Sequence, residues 1–213
     1  MSSPTLDPFA ASEPQAQPAQ LSNNLRPIEI IGGGLAGLSL GVALRRAGVP
    51  VTLHEAGQYP RHRVCGEFIA GLDESTISSL QLEPSLAGAL RHRDIAWHID
   101  GRLVREQRLR APALGISRHI LDARLAEAFV ALGGILHTGS RAAADAEAPG
   151  RVFATGRRPV PSSPWLGLKV HVADLTLVRE LELHLGADAY VGLARLPDGT
   201  TNVCGLFHRR ELS

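Results

Sequence analysis

The sequence has few cysteines and no recognisable metal-ligand spacing. Cys65 and Cys204 are its only cysteines in 213 residues, and they lie far apart. Two cysteines alone can build neither a disulfide framework nor a four-cysteine zinc site. The nine histidines show no metal-binding spacing, so we predict no metal site. Scarce cysteine is typical of proteins in a reducing compartment, and we expect a cytoplasmic protein.

Charge imbalance and long apolar runs are also lacking. The net charge is +1, so we expect no nucleic-acid partner. The longest nearly apolar stretch, residues 35–44, is about half the length that a bilayer crossing needs, so we expect no transmembrane segment. The N-terminus has no basic head followed by an apolar core, and we expect no secretory signal. With 44% hydrophobic and 20% charged residues, the composition is that of a globular chain.

Composition and turn signals divide the chain into three parts. Residues 1–26 are rich in Pro, Ala, Ser and Gln without apolar periodicity, which predicts a disordered tail. Residues 27–160 alternate strand and helix patterns and are predicted to form an α/β, Rossmann-like domain. Prolines precede a last part, residues 161–213, whose short strand patterns predict a partial β-rich domain.

The best-defined pattern is a compact strand–helix–strand unit. A strand is predicted at residues 28–31, a helix that ends at Gly48, and a second strand at residues 51–55. Such a unit requires parallel strands and a right-handed crossover. Further along, Asp100-Gly101 between two strand patterns predicts a β-hairpin.

The loop between the first strand and the helix contains glycines spaced G-x-G-x-x-G. Gly32 permits a tight turn, Gly34 lets backbone approach a pyrophosphate, and Gly37 permits close packing of the helix. The helix N-terminus offers free N–H groups and partial positive charge to phosphates. The alternative is a glycine-rich turn that packs the helix without any ligand.

An acidic residue completes this pattern. Glu55 lies 18 residues after Gly37, at the end of the second strand, where a carboxylate can bind the ribose hydroxyls of a dinucleotide. The carboxylate would repel a 2′-phosphate, and no Arg or Lys follows it immediately. The site therefore favours FAD or NAD over NADP.

A second informative segment is residues 61–68, RHRVCGEF. Together with the glycine loop, Arg118 before a helix, residues 154–156 and the runs 165–169 and 190–193, it resembles the FAD-dependent oxidoreductases of the geranylgeranyl reductase and aromatic hydroxylase (flavoprotein monooxygenase) group. The resemblance covers about residues 27–210. It implies a Rossmann-like FAD-binding domain followed by a partial β-rich substrate domain. The group's late Gly-Asp motif has no counterpart here, so we expect a chain truncated at the C-terminus.

The resemblance also implies which residues bind the cofactor. The expected FAD contacts are Gly32, Gly34, Leu35, Ala36 and Gly37 at the pyrophosphate, Glu55 at the ribose, Cys65 and Gly66 beside the flavin end, Arg118 at the phosphates, and Thr155 and Gly156 near the dinucleotide. Arg63, with Arg61 beside it, is a further expected cofactor contact. A guanidinium pairs well with a pyrophosphate in a planar fork, which supports Arg118 independently. Three alternatives stay open: Arg63 as a solvated loop charge, Cys65 as a small buried hydrophobe, and Arg118 paired with Asp122.

These patterns predict an FAD-dependent oxidoreductase, of monooxygenase or dehydrogenase/reductase type, that acts on a hydrophobic small molecule. The flavin would be the redox centre and NADH or NADPH an electron donor; no catalytic side chain is assigned. Two alternatives remain: an NAD-dependent Rossmann dehydrogenase, and a truncated, non-catalytic nucleotide-binding protein. An incomplete sheet would expose edge strands, so we also expect self-association through them.

Overall fold

A computed structural model describes residues 25–141, 148–157 and 162–212. The tail predicted at residues 1–26 falls, up to residue 24, outside the described residues. Within them, no helix has the length and apolar character needed to span a membrane. In chain order, the elements are β1 (Ile28–Ile31), α1 (Leu35–Arg46), β2 (Val51–Glu55), β3 (Phe68–Ile69), α2 (Glu74–Ser79), β4 (Leu90–Ile99), β5 (Arg102–Gly115), α3 (Arg118–Ala131), β6 (Ile135–Thr138), β7 (Arg151–Phe153), β8 (Trp165–Val172), β9 (Leu181–Leu185), β10 (Ala189–Arg195), β11 (Thr201–His208) and a final 3₁₀ turn (Arg209–Leu212).

The first sheet is parallel and has the strand order β6-β2-β1-β7. Ile30 of β1 lies beside Leu53 of β2, and both are fully buried. The predicted strand–helix–strand unit is therefore confirmed. Helices α1 and α3 pack together, and the Phe129 ring lies so near Gly41 that a Cβ there would come within 3.0 Å of it. This layer contains the larger apolar core.

The second sheet has seven strands in the order β3-β5-β4-β9-β10-β11-β8. Its strands are antiparallel except at the central β4–β9 pair, which is parallel. The predicted hairpin between β4 and β5 is confirmed, with Asp100 and Gly101 both at positive φ (47° and 76°). Two adjacent residues at positive φ are what a two-residue hairpin turn of type I′ requires.

The boundary between the sheets differs from the predicted division at residue 160. Strands β3, β4 and β5 precede that residue, yet they belong to the same sheet as β8 to β11. The physical reason is the β4–β9 pairing, which joins segments far apart in sequence. The segment between β2 and α2 also contains the short strand β3, which pairs with the end of β5. The predicted fold class, an α/β layer with a β-rich layer, is confirmed.

Candidate cofactor-binding site

The loop after β1 needs glycine at two of its three expected positions for steric reasons. Gly32 has φ +110°, and a Cβ there would lie 2.4 Å from the carbonyl oxygen of Ala154. A Cβ on Gly37 would lie 1.9 Å from the carbonyl oxygen of Gly32. The tight turn and the close helix approach expected from the glycine spacing are therefore both present.

Gly34 differs from these two glycines because nothing lies within 4 Å of the position that its Cβ would take. Its backbone is extended (φ −82°, ψ −171°), and it is the N-cap of α1 without a side-chain hydrogen bond to the first turn. The first N–H groups of a helix have no partner within the helix. Open space and amides that lack a partner within the helix thus coincide at the N-terminus of α1, which is the arrangement that binds phosphate.

A cavity of about 600 Å³ opens at this loop. It brings together most of the predicted residues, and its lining consists of Ile31, Gly32, Gly34, Leu35, Ala36, His54, Glu55, Ala56, Arg61, Arg63, Arg118, Ser140, Arg141, Ala154, Thr155 and Gly156. Three predicted residues, Gly37, Cys65 and Gly66, are not part of this lining. Sequence analysis did not select Ser140 or Arg141, because a serine and an arginine in a loop carry no motif.

Glu55 lies in the cavity wall with only 4% of its surface exposed. One carboxylate oxygen accepts hydrogen bonds from the Gly57 N–H (2.8 Å) and from Arg61 (2.6 Å). The other accepts a hydrogen bond from the Gly33 N–H (2.9 Å). Burial raises the pKa of Glu55, but these hydrogen bonds and the charges of Arg61 and Arg63 outweigh it, so the pKa is lowered overall. The carboxylate is ionised and held at the loop.

Two arginines of the cavity share one buried carboxylate, that of Asp122 in α3. Arg118 forms a two-pronged pair with it, at 2.7 and 2.9 Å. Arg63 donates to it at 3.0 Å and reaches Glu55 at 3.4 Å. The pairing of Arg118 with Asp122, one of the alternatives that the sequence left open, is therefore present. Both guanidinium groups still line the cavity.

The charge of the cavity suits an anionic ligand. Among the described residues, four arginines line it (Arg61, Arg63, Arg118 and Arg141), and Glu55 is the one carboxylate in the lining. The Nε atom of Arg61 is buried and has no hydrogen-bond partner in the described part of the chain. An unpartnered guanidinium nitrogen, free helix amides and space beside Gly34 fit a diphosphate. The residues present therefore fit the ADP half of a dinucleotide cofactor.

The loop of Cys65 and Gly66 lies towards the second sheet. The carbonyl of Cys65 accepts a hydrogen bond of 3.0 Å from the side-chain amide of Asn202 in β11. Its thiol is half-buried. The loop thus bridges the cavity wall and the β-rich layer.

A buried network next to this loop has no signature in the sequence. The Glu67 carboxylate accepts hydrogen bonds from Ser117 (3.0 Å) and from the N–H of Arg118 (2.9 Å). It also pairs with Lys169 and contacts His171 of β8 at 2.7 Å. Burial raises the pKa of Glu67, but Lys169 and the other donors outweigh it and lower the pKa. These partners are distant in sequence, so no local pattern could have indicated them.

A second cavity of about 700 Å³ lies at the outer strands of the second sheet. Trp165, Tyr190, Leu206 and Val64 form its apolar lining, and the exposed Arg157 lies at the same cavity. The two cavities share the segment from residue 61 to residue 64, because Arg61 and Arg63 line the first and Val64 lines the second.

No protein-family model matches the chain, and no curated protein matches its sequence. Solved structures do resemble it. They include a tetrameric form of 2-methyl-3-hydroxypyridine-5-carboxylic acid oxygenase (TM-score 0.68, 17% identity, 88% of this chain and 60% of that chain). They also include PqsL, a probable FAD-dependent monooxygenase from Pseudomonas aeruginosa (0.64, 17%, 88% and 62%), and CtdE in complex with FAD (0.64, 18%, 86% and 59%).

At this level of identity, the similarity establishes the fold. The chain has the two-layer fold of these solved structures, which confirms the fold expected from the resemblance to flavoprotein monooxygenases. The chain spans about 60% of the length of the solved chains that it matches.

Proposed function

We propose that this chain binds FAD and functions as a flavin-dependent oxidoreductase, of monooxygenase or dehydrogenase/reductase type. Its substrate would be a small hydrophobic molecule. The proposal depends on one observation: the unpaired amides of α1, the open space at Gly34, the arginines and Glu55 all meet in one cavity. Two neighbours in fold support the identity of the cofactor, since CtdE is solved with FAD and PqsL is described as a probable FAD-dependent monooxygenase.

In this proposal the residues of the cavity bind and orient the cofactor. The diphosphate lies at the N-terminus of α1 against Gly34, Leu35 and Ala36, with Gly32 and Gly37 shaping the loop. Arg63 and Arg118 neutralise its charge, and Glu55 accepts hydrogen bonds from the ribose hydroxyls. Residues 155 and 156 lie beside the dinucleotide, and Cys65 and Gly66 lie towards the flavin. FAD supplies the redox chemistry when bound.

The second cavity is the proposed place for the substrate. Its apolar lining, Trp165, Tyr190, Leu206 and Val64, suits a hydrophobic molecule. We further propose NADH or NADPH as the electron donor and a cytoplasmic location. Strand β8 is a sheet edge with exposed Leu168 and Val170, which supports self-association through that edge. The pyridine carboxylate oxygenase that shares the fold is itself described as tetrameric.

The test is reconstitution of the purified chain with FAD, with NAD⁺ in a parallel sample. After gel filtration, we expect the protein to retain flavin absorbance at one FAD per chain and to retain no NAD⁺. Arg63→Gln should weaken retention, whereas Arg105→Gln, a control on the exposed part of β5, should not. Retention of NAD⁺ without flavin would instead indicate a nicotinamide dehydrogenase.

A second step separates an enzyme from a non-catalytic binding protein. The cavity bears on cofactor binding alone, so a nucleotide-binding protein without catalysis is the second candidate. Anaerobic mixing with NADH or NADPH should bleach the bound flavin if the chain supports the proposed redox function. A chain that retains FAD but leaves it oxidised with both donors would be a nucleotide-binding protein.

A further inference from the structure

Three ligating side chains come together on the second sheet, away from the cofactor cavity. His98 lies on β4, and Glu182 and His184 lie two residues apart on β9. Because β4 and β9 are parallel and His98 is in register with His184, all three side chains share one face of the sheet. Each offers one ligand atom, and these atoms lie within 4.8 Å of one another. The sequence spacing could not indicate this cluster, because β4 and β9 meet only in the fold.

The ring of His98 provides a second, independent observation. Only 7% of the residue is exposed, and its Nδ1 atom is buried without a hydrogen-bond partner in the described part of the chain. Buried polar side-chain atoms nearly always have a partner. A buried imidazole with an unpartnered nitrogen, clustered with a carboxylate and a second imidazole, points to a ligand that all three side chains would share.

The carboxylate in the cluster is also short of positive charge. Glu182 is 4% exposed, and its oxygens accept hydrogen bonds from the N–H groups of Val178 and Arg179 and from His184 (2.8 Å). Within the described ranges, no lysine or arginine side chain pairs with it. The guanidinium of Arg179 pairs with Glu106 instead. A buried carboxylate with no full cationic partner favours binding of a cation.

A second cluster of possible metal ligands differs from this one in its charge. His62, Glu67 and His171 also bring ligand atoms within 4.8 Å of one another. There, however, Lys169 already supplies the positive charge to Glu67. The cluster on β4 and β9 is therefore the better cation site of the two.

We propose that His98, Glu182 and His184 bind a divalent transition-metal ion of the zinc type. Two imidazoles and one carboxylate are a ligand set that suits Zn²⁺, whereas Ca²⁺ and Mg²⁺ prefer oxygen ligands alone. Water would complete the coordination. The ion would link β4 to β9, the one parallel pair in the second sheet, and so join the early hairpin to the later strands.

Both imidazoles can bind one metal ion only after one of the rings turns. The imidazoles of His98 and His184 are stacked, with centroids 4.2 Å apart and parallel planes. A metal ion lies in the plane of each imidazole that binds it, so one ring must turn to bind the same ion as the other. His184 is the one with room to turn, because 35% of its side chain is exposed.

The test uses the full chain, purified without a histidine tag and stripped with a chelator. Titration with Zn²⁺ in a calorimeter should show one saturable site, and Zn²⁺ should raise the unfolding temperature. Glu182→Gln and His184→Ala should each weaken Zn²⁺ binding by at least about tenfold. His184→Ala alters a partly exposed side chain and keeps the test valid if Glu182→Gln fails to fold.

His62→Ala is the matched control, since it removes a ligand from the other cluster. It should leave the affinity for Zn²⁺ unchanged. The proposal is overturned if the wild type shows no saturable Zn²⁺ binding or if His184→Ala binds Zn²⁺ as tightly as the wild type. Loss of binding in His62→Ala, with normal binding in His184→Ala, would assign the metal to the other cluster and overturn it as well.

Discussion

The Glu55 carboxylate, at the end of β2, accepts a hydrogen bond of 2.9 Å from the N–H of Gly33 in the loop after β1. The same side chain accepts a hydrogen bond from the Gly57 N–H and pairs with Arg61. The chain therefore holds the acidic residue and the glycine loop together through its own contacts. A ribose that binds here meets a carboxylate already in position, which reduces the entropy lost on binding.

Gly34 and Gly37 should differ in how much stability the protein loses when each is substituted. Gly37→Ala forces a Cβ to within 1.9 Å of a backbone oxygen, and we expect it to lower the free energy of unfolding by about 1–3 kcal/mol. Gly34→Thr places its side chain in open space, and Thr is about as good an N-cap as Gly, so stability should change by less than about 0.5 kcal/mol. Urea unfolding of both variants measures this. Equal losses of stability would show that the close approach of helix and loop is wrong.

The ion pair between Glu67 and Lys169 should be among the costliest interactions to break. Both side chains are buried, and removal of one partner from a buried pair costs about 3–5 kcal/mol. We expect Glu67→Gln and Lys169→Met each to destabilise the protein by that order, and the double variant by clearly less than the sum. Arg91→Ala, which breaks an exposed pair with Glu74, is the control and should have little effect. Additive losses in the double-mutant cycle would contradict a direct pair.

Stability should fall in two steps as the solution is acidified. Burial lowers the pKa of His92 below 6.5, so the unfolded chain takes up this proton first and stability begins to fall below about pH 6.5. The pKa values of Glu55 and Glu67 are lowered from 4.5, so their contribution is full above about pH 4.5 and is lost as pH falls through their folded values.

Urea unfolding across the acid range measures these steps. His92→Gln, which keeps a donor for the carbonyl of Arg195, should make the upper step shallower and leave the lower one. A part of the upper step remains, because the pKa of His62 is also lowered from 6.5. Glu67→Gln should make the lower step shallower. A wild-type stability that stays constant from about pH 7 to pH 5 would refute the upper step, and one that stays constant from about pH 5 to pH 3 would refute the lower step.

The parts of the fold that depend on local signals could be predicted from the sequence. The apolar periodicity of residues 28–55 and the Asp100-Gly101 turn each specify their structure within a short window. The β4–β9 pairing could not be predicted, because neither strand has a sequence signal that identifies the strand with which it pairs. That pairing explains why the predicted boundary at residue 160 does not coincide with the boundary between the sheets.

In the candidate site, too, the features with a local sequence signal could be predicted, and those formed by distant residues could not. The proximity of the glycine loop and Glu55 was predictable, because their spacing places them after two adjacent parallel strands. Arg118 was ambiguous, since an arginine four residues before Asp122 fits both a helix ion pair and a phosphate contact. Glu67 and its partners on β8 gave no signal, because their chemistry arises only where the two layers meet.

The most direct test of the central claim is a titration of FAD into the wild type and into Gly34→Thr, followed by flavin fluorescence. A Thr at the N-cap fills the space for the diphosphate, and its hydroxyl can bind the amides that the diphosphate would use. The account predicts saturable binding to the wild type, competition by ADP, and an affinity at least about tenfold lower for Gly34→Thr despite unchanged stability. Equal affinities for FAD in the two proteins, or no competition by ADP, would contradict it.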